Sequence, residues 1–341
     1  MNVTPEATPS LDGARDGPEH VEGPKLARHH SERRWARAVV AAGLTAFILW
    51  KSHPREVLAA LANANWRLIA IAVLLVFADR ALMAYRWVVL LCILDPAERP
   101  RLAAVMRIFF VSTFVGTFLP ASVGGDAVRA FSMTQLNVRG RDAIASVFLD
   151  RMLGVASVLL MAAVGLTLAQ DLASNRTIVV ALGVAAAICA ATLLLIFSRH
   201  AATVASRMLA LFPGAVLQTG EGILESIRRY AIYRRQLVNV LAGSIAVQAL
   251  RIIQAYFLGA ALGIALPPAA YFAFVPLILL VMLLPVTFNG IGTSQAAFVW
   301  FFGRAGVPAP PAFALSVLFV ALGVIGNLPG GFLYVSGRRR R

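Results

Sequence analysis

The chain has 341 residues, of which 59% are hydrophobic and 14% are charged, and its formal net charge is +15. Soluble domains carry about 25% charged residues, so this composition argues against an ordinary soluble protein and indicates an integral membrane protein. Cys92 and Cys189 both fall in apolar segments, which argues against a disulfide framework. All five histidines lie outside these segments. We therefore expect no intramembrane metal site, no cofactor and no nucleic-acid partner.

The first part of the chain is polar, holds several Pro and Gly residues, and lacks an apolar run. We predict that residues 1–34 form a disordered cytoplasmic tail and that residues 35–337 form the membrane domain. Apolar segments long enough to form membrane passes, or parts of passes, follow one another in this domain. They are Trp35–Trp50, Leu68–Ile93, Leu102–Leu119, Ala143–Ala169, Thr177–Phe197, Leu237–Ile264, Ala269–Leu284 and Pro311–Val335.

The positions of arginine predict how the chain is oriented in the membrane. The N-terminal tail, the linker at 198–236 and the last residues, 338–341, are all basic, so each is expected on the cytoplasmic side. The linker contains two pieces with apolar periodicity, which we expect to lie along the membrane surface. The acidic connection at 170–175 suits the outside. Both termini are therefore predicted to be cytoplasmic.

The stretch FLPASVGGDAVRAF, Phe118–Phe131, interrupts an apolar run with a proline, two glycines and charges of both signs. Pro120 would end a half-helix, and the Gly124–Gly125 pair would let the backbone turn tightly. A full crossing would place Arg129 outside, against the positive-inside rule. A re-entrant hairpin over Leu102–Leu136 would return it to the cytoplasm, and we predict this path.

A second stretch, LPVTFNGIGTSQAAF at Leu284–Phe298, echoes the first, with Leu-Pro, a glycine-containing break and a short apolar helix. Asn289, Gly290 and Gly292 lie in the break, and Gln295 is the polar side chain on the turn that follows. Two broken helices entering from opposite faces are typical of an inverted-repeat transporter. The predicted fold is an all-α integral membrane protein: a polytopic helical bundle with two re-entrant broken-helix hairpins and an inverted repeat.

Charged side chains inside the apolar segments cost about 2.5–3.5 kcal/mol each to insert, so each should face the interior and have a partner. They are Asp79, Arg80, Asp126, Arg129, Asp150, Arg151 and Arg251. Pairing three aspartates with three arginines leaves Arg251 over, which predicts an interior with a positive excess that suits a phosphate. Arg86 and Arg107 lie nearer a cytoplasmic end, and we expect them to snorkel toward the surface.

Asp126 can cap the first half-helix, and both half-helices would direct positive N-termini toward the middle of the membrane. The alternative that Asp126 caps and pairs with Arg129 in a purely structural hairpin stays open. The predicted substrate-binding residues are Pro120, Gly124, Gly125, Asp126, Arg129, Asp150, Arg151, Arg251, Asn289, Gly290, Gly292 and Gln295. Three further residues, Asp79, Arg80 and Gln248, are candidates for a structural role or for coupling to transport. An Asp79–Arg80 pair could hold helices together, and Gln248 could make a helix–helix contact or a contact with a headgroup.

These residues carry a resemblance to a known family. LPASVGGDAVRAF, the Asp-Arg of FLDRMLG and the later NGIGTSQAAFVWFF resemble the lysylphosphatidylglycerol synthase transmembrane-region family, over about Trp35 to Val335. The resemblance implies a flippase-like domain of the bacterial inner membrane that moves an anionic lipid or lipid-linked headgroup between leaflets. This chain has Gln295 where many relatives carry Glu, so a proton-coupling role is not expected there. No aminoacyltransferase domain follows, so we expect no lysyl-lipid synthase activity.

We therefore expect a lipid translocator rather than an enzyme, with a phospholipid or lipid-linked anion as its substrate. Three alternatives stay open. The first is a membrane enzyme acting on a lipid phosphate, with Asp126 or Asp150 as base. The second is a non-transporting partner in an envelope-lipid pathway, such as a hopanoid or aminoacyl-lipid pathway. The third is a secondary transporter of small molecules. The lipid, its direction of movement, the energy source and any homo-oligomer are not specified by these patterns.

Overall fold

The computed structural model describes residues 43, 45–93, 100–118, 123–136, 138–168, 176–198, 203–204, 207, 214–230, 232–283 and 291–338. These residues belong to one compact unit, Arg37–Arg341. They form helices joined by turns and short connections, and none of these described residues lies in a β-strand. The predicted tail at 1–34 and the acidic connection at 170–175 lie outside the described residues.

The helices are numbered here in chain order. They are α1 (Pro54–Ala62), α2 (Trp66–Leu91), α3 (Leu102–Phe118), α4 (Val123–Thr134), α5 (Gly140–Leu168), α6 (Arg176–Phe197), α7 (Gly214–Tyr230), α8 (Arg234–Ala261), α9 (Pro268–Leu283), α10 (Thr293–Arg304) and α11 (Ala309–Arg338). By length and composition, α2, α5, α8 and α11 are suited to cross a membrane. The predicted polytopic helical bundle is therefore confirmed.

Local sequence explains several helix ends. The Asn65 side chain accepts a hydrogen bond from the Arg67 amide at 3.1 Å and caps the start of α2. Pro54 occupies the first position of α1, where its missing N–H costs nothing. After α8 and α10 the chain turns at Gly263 and Gly306, whose φ angles of 74° and 81° favour glycine.

Helix lengths repeat along the chain. Helices α2 to α5 have 26, 17, 12 and 29 residues. Helices α8 to α11 have 28, 16, 12 and 30 residues. We call α1–α5 the first half and α7–α11 the second half; α6 lies between them in the sequence. In each half, the first helix is thus followed by a long helix, two short helices and another long helix, in that order.

The packing of the helices repeats in the same way. Helix α3 packs on α11 as α9 packs on α5, and α1 packs on α11 as α7 packs on α5. Helix α2 packs along α8. These two run antiparallel, because the Asn65 amide at the start of α2 donates to the Ala261 carbonyl at the end of α8 at 2.9 Å. Two equivalent membrane-length helices that run in opposite directions are the arrangement that an inverted repeat requires.

The first hairpin consists of α3 and α4, which pack as antiparallel arms. Gly116 and Gly125 face each other, and a Cβ added to Gly125 would lie 3.1 Å from the Gly116 Cα. The 12 residues of α4 span about 18 Å, which is shorter than the hydrocarbon core of about 30 Å. Because α4 alone cannot cross a bilayer, its length agrees with a broken helix. Residues 119–122, with Pro120, lie outside the described part, and the re-entrant path stays a prediction.

The second hairpin, α9 and α10, packs through aromatic rings. Tyr271 and Phe274 of α9 lie 5.3 and 5.5 Å from Phe302 of α10, measured between ring centroids. These side chains belong to the most extensive hydrophobic cluster among the described residues. Residues 284–290, with Asn289 and Gly290, lie outside the described part. The described part of the second hairpin therefore consists of its two apolar arms.

The linker predicted at 198–236 contains α7, which docks on α5. Tyr230, at the end of α7, is buried in the same hydrophobic cluster as Leu90 and Leu149. Burial raises the pKa of the Tyr230 phenol above its ordinary value, and the nearby Asp142 carboxylate raises it further. Helix α7 is therefore held to the bundle by packing as well as by any attraction to a membrane surface.

Candidate functional site

A cavity of about 280 Å³ lies beside the first hairpin. Its walls come from α2, α3, α4 and α5 of the first half and from α8, α9 and α11 of the second. Of the residues predicted from the sequence, the cavity brings together Gly125, Asp126, Arg129, Asp150, Arg151, Arg251 and Gln248. These predicted residues come together in three dimensions from three separate helices, α4, α5 and α8.

The cavity wall carries an excess of positive charge. Among the described residues, the charged side chains that line it are four arginines and two aspartates: Arg86, Arg129, Arg151, Arg251, Asp126 and Asp150. Because the protein walls have a low dielectric constant, they concentrate the electric field of these charges in the cavity. Arginine also presents a planar set of donors that suits phosphate oxygens. The arrangement therefore favours an anionic ligand over a cation.

The Asp150 carboxylate forms ion pairs with two arginines at the inner side of this cavity. Arg86 Nη2 donates to Asp150 Oδ1 at 2.5 Å, and Arg129 Nη1 lies 3.5 Å from Asp150 Oδ2. The Arg129 guanidinium also stacks on Trp87 and Phe109, with its Cζ 5.0 and 4.8 Å from the two ring centroids. Arg129 is consequently held in place by one carboxylate and two aromatic rings.

The prediction that Arg86 snorkels to the membrane surface is wrong. Arg86 is only 4% exposed and reaches Asp150 inside the bundle. It passes beside Gly154 of α5 and Gly243 of α8, where a Cβ added to Gly243 would lie 3.0 Å from the Arg86 Cγ. Glycines on two neighbouring helices leave the space that this side chain fills, and sequence distance from a helix end does not reveal such a space.

Asp126 pairs with Arg151 rather than with Arg129. Arg151 Nε donates to Asp126 Oδ2 at 2.9 Å, and Arg151 Nη2 contacts the same oxygen. The Arg151 and Asp126 side chains are 33% and 23% exposed, so this pair lies in the more open part of the cavity. The alternative of a hairpin closed internally by Asp126 and Arg129 does not describe this structure, because the ion pair ties α4 to α5.

Asp79 lies between two arginines behind the cavity. Arg80 Nη1 and Arg251 Nε lie 2.9 and 3.3 Å from the two carboxylate oxygens of Asp79, which is 1% exposed. The expectation that Arg251 is left without a carboxylate is therefore wrong. Positive charge remains in excess because both Asp79 and Asp150 are shared by two arginines each. Arg80 also donates to the Gly323 carbonyl of α11 at 3.3 Å.

Two amides contribute neutral polarity to the wall. Gln248 of α8 is 3% exposed, and its Nε2 donates to Ser157 Oγ at 3.3 Å. Asn327 of α11, which the sequence predictions missed, donates from Nδ2 to Thr117 Oγ1 at 2.8 Å. An isolated asparagine in the apolar segment Pro311–Val335 was the available signal, since polar side chains in membrane helices tend to face the protein interior.

Gly292 and Gln295, the predicted residues of the second hairpin that the structure describes, do not line this cavity. Gln295 Oε1 accepts hydrogen bonds from the Gly292 amide at 2.5 Å and from Ser294 Oγ at 3.0 Å, so its side chain caps the start of α10. Gly124, Gly292, Gln295, Asp79 and Arg80 are not among the lining residues. Pro120, Asn289 and Gly290 fall outside the described residues. Within the described ranges, no group of three or more His, Cys, Asp or Glu residues could hold a metal ion.

Comparison with protein families gives a match over most of the chain. Residues 34–330 match the family model described as the lysylphosphatidylglycerol synthase TM region. No curated protein matches the chain. The family match covers the first half, the second half as far as Gly330 within α11, and all the described residues that line the cavity. The chain therefore belongs to this family, which confirms the resemblance found in the sequence. It is a helical membrane protein of a lipid-related family.

Proposed function

We propose that this member of the lysylphosphatidylglycerol synthase TM-region family translocates an anionic phospholipid or lipid-linked intermediate across the bacterial inner membrane. The observation that carries the proposal is the excess of arginine over aspartate around a cavity in the membrane domain. Buried cations are costly without counter-charge, and a lipid phosphate entering the cavity would supply it. The acyl chains of the lipid remain in the surrounding bilayer.

Arg151 and Arg251 are the residues that first meet the phosphate in this proposal. Their side chains are 33% and 25% exposed, whereas that of Arg129 is 7% exposed. A phosphate can therefore draw Arg151 away from Asp126 and Arg251 away from Asp79. Arg129 and Arg86 stay paired with Asp150 and supply a fixed positive field. Asp126 lies in the first turn of α4, so the positive end of that helix adds to the attraction.

The proposed orientation follows the positive-inside rule. Both termini and α7 lie on the cytoplasmic side, the first hairpin enters from the cytoplasm, and the second enters from the opposite face. The two halves then have opposite orientations, as alternating access in an inverted-repeat transporter requires.

We propose no chemical step on the lipid. In the part of the chain that the structure describes, Asp126 and Asp150 are the carboxylates that line the cavity, and each is engaged by at least one arginine. A carboxylate held in this way is poorly placed to accept a proton from a substrate. The enzyme alternative requires a chemically altered lipid, whereas translocation leaves the lipid unchanged and moves it to the other leaflet.

The test is a leaflet-resolved assay on purified protein in liposomes that contain a fluorescent anionic phospholipid, read with a membrane-impermeant quencher. The variant is Arg151→Gln with Arg251→Gln, which removes the two reachable cations and leaves the Asp150 cluster intact. We expect the rate to fall by about 100-fold, since two charge-assisted hydrogen bonds are lost. The control is Arg304→Gln, an exposed arginine on α10 away from the cavity.

Three outcomes would contradict the proposal. The first is an unchanged rate in the double variant. The second is a lipid whose mass changes during the assay, which favours the enzyme alternative. The third is a combination of two results: wild-type protein moves no lipid in liposomes, and deletion of the protein from cells abolishes a complex of its partners. That combination favours a non-transporting role in an envelope-lipid pathway.

A further inference from the structure

We propose that the turn between α7 and α8 is a second lipid site, which holds anionic phospholipids of the surrounding bilayer against the protein. The segment is RRYAIYRR, residues 228–235, and we call it the basic elbow. It carries four arginines in eight residues, and none of the four lines the cavity. The inference does not depend on the proposed function, because a lipid can bind at this surface whether or not the protein moves lipids.

The basic elbow lies where the chain enters the membrane. Helix α8 begins at Arg234, and its 28 residues span about 42 Å, which exceeds the hydrocarbon core of about 30 Å. Its first turn therefore reaches the headgroup region. Tyr230 is buried in the same hydrophobic cluster as Leu237 of α8. This packing holds the end of α7 beside the start of α8, so the arginines before and after Tyr230 lie at the level of the headgroups.

The protein provides little counter-charge for these arginines. Arg229 has an ion pair, but its Nη1 lies 3.9 Å from Asp142 Oδ1. Arg228, Arg234 and Arg235 pair with none of the described carboxylates. Arg234 and Arg235 are also exposed. An anion from outside the protein would therefore supply the counter-charge that the described residues do not.

The start of α8 increases the need for an anion. Arg234 and Arg235 occupy its first turn, which holds no acidic residue, and the N-cap residue Tyr233 makes no side-chain hydrogen bond to the helix. The N-terminus of a helix carries partial positive charge and N–H groups without partners, so arginine is disfavoured there and an anion is favoured. A phosphate beside this turn would contact amide and guanidinium groups together.

The equivalent turn in the first half provides an internal comparison. Three residues join α1 to α2, and three residues join α7 to α8. In the first half the side chain of Asn65 caps α2, and residues 60–67, which correspond to the basic elbow, contain Arg67 as their single arginine. The fold of this turn therefore does not require an arginine cluster. Arginines that only orient the chain in the membrane would not need to stand at a helix end that disfavours them.

Exposed apolar side chains beside the arginines identify the partner as a lipid. Ile232 is 78% exposed, and Tyr233 and Val238 are exposed as well. Such side chains can insert among acyl chains while neighbouring arginines contact phosphates. Inorganic phosphate would match the charges but would leave the apolar groups in water. The partner is therefore an anionic phospholipid of the leaflet at which α8 begins, which is the cytoplasmic leaflet in the proposed orientation.

The experiment measures which lipids lie beside the basic elbow in a bilayer. A fluorophore is attached to Ile232→Cys after Cys92 and Cys189 have been replaced by alanine, and the full-length protein is placed in phosphatidylcholine nanodiscs. Quenching by spin-labelled phosphatidylglycerol is compared with quenching by spin-labelled phosphatidylcholine. We expect phosphatidylglycerol to be enriched about tenfold at this position. The fluorophore at Asn63→Cys, in the turn between α1 and α2, should report an enrichment of no more than about twofold.

The variant removes three arginines of the basic elbow and keeps Arg229, which pairs with Asp142. It combines Arg228→Gln, Arg234→Gln and Arg235→Gln. We expect the enrichment at Ile232→Cys to fall to about twofold, while Tm measured by circular dichroism stays as in the unsubstituted chain.

A matched control removes the same amount of charge elsewhere. It combines three exposed arginines outside the basic elbow, as Arg55→Gln, Arg67→Gln and Arg304→Gln. This control should keep the enrichment of about tenfold at Ile232→Cys, because a contact at the basic elbow does not depend on the net charge of the protein.

Equal quenching by the two lipids at Ile232→Cys would overturn the inference and would leave the arginines with a role in orienting the chain alone. An enrichment that survives in the variant, or that falls equally in the control, would also overturn it. So would an equal enrichment at Asn63→Cys. None of these results bears on the proposed translocation, which is read separately from the movement of lipid between leaflets.

Discussion

The two halves of the molecule build the same helices from different chemistry. In the first half, the short arms α3 and α4 meet the ion pairs of Asp126 and Asp150. In the second half, the equivalent arms α9 and α10 meet through Tyr271, Phe274 and Phe302. The second half contributes Arg251, which lines the cavity and pairs with Asp79 of the first half. The two halves therefore share the order and packing of their helices, whereas five of the six charged residues described around the cavity lie in the first half.

This difference has an energetic consequence. Apolar packing is non-directional, and its loss on mutation scales with the area and volume removed. A buried ion pair is different, because removing one partner leaves an uncompensated charge inside the protein. We therefore expect substitution of a single charged residue to destabilise the protein more in the first half than in the second. The first half is also where a ligand phosphate can replace an aspartate as the partner of an arginine.

Replacement of Asp150 is the change with the largest expected effect. Asp150→Asn leaves Arg86 and Arg129, both less than a tenth exposed, without their shared counter-charge. We expect a loss of about 3–5 kcal/mol in the free energy of unfolding, seen as a large fall in Tm by circular dichroism in detergent. The matched variant is Asp126→Asn, whose partly exposed pair should contribute about 1 kcal/mol or less. Equal losses in the two variants would contradict this ranking.

Adding a methyl group between the arms of the first hairpin comes next. In Gly125→Ala the new Cβ would lie 3.0 Å from the Ser112 carbonyl oxygen and 3.1 Å from the Gly116 Cα, and backbone cannot easily retreat. We expect a destabilisation of about 1–3 kcal/mol, measured by thermal unfolding.

Its counterpart is Gly303→Ala on α10 of the second hairpin, where a Cβ meets nothing within 4 Å. Alanine is favoured over glycine within helices by about 0.5–1 kcal/mol, so this variant should be as stable as wild type or more stable. Similar shifts in Tm for both variants would show that the close contact between α3 and α4 does not exist in the protein.

The smallest effect is expected for Arg304, the stacked arginine of the second hairpin. Its Cζ lies 4.5 Å from the Trp300 ring centroid, but the residue is exposed and lies away from the cavity. Arg304→Ala should change stability by no more than about 1 kcal/mol and leave lipid movement unchanged. Arg129→Ala, which removes the buried stacked arginine, should abolish lipid movement. A loss of transport in Arg304→Ala would indicate that the second hairpin also handles the headgroup.

The sequence was sufficient to predict the membrane-length helices of the fold. Long apolar runs predicted α2, α5, α8 and α11, because a helix is the only way to satisfy their backbone in lipid. The Gly and Pro residues of Phe118–Phe131 predicted the break between α3 and α4. Helix α1 was not predicted, because its apolar face is short and follows a turn at His53.

The pairing inside the site was less predictable. Charged residues close in sequence, such as Asp126 and Arg129, suggest local pairs, but the observed partner of Asp126 is Arg151 on another helix. Which arginine reaches a carboxylate depends on how the helices are rotated and on the space left by glycines such as Gly243. Neither the rotation nor the space follows from the periodicity of a single chain segment.

The opposite orientation of the two halves is tested most directly by cysteine accessibility. Single cysteines are placed at Arg101 and Gly140, beside the ends of the first hairpin, and at Pro267 and Arg304, beside the ends of the second, after Cys92 and Cys189 have been replaced by alanine. A membrane-impermeant maleimide is added to intact cells or to inverted vesicles. We expect Arg101→Cys and Gly140→Cys to react from the cytoplasmic side alone, and Pro267→Cys and Arg304→Cys from the opposite side alone. Labelling of Arg101→Cys and Gly140→Cys from opposite faces would contradict the fold-back of the first hairpin and, with it, the anion site beside it.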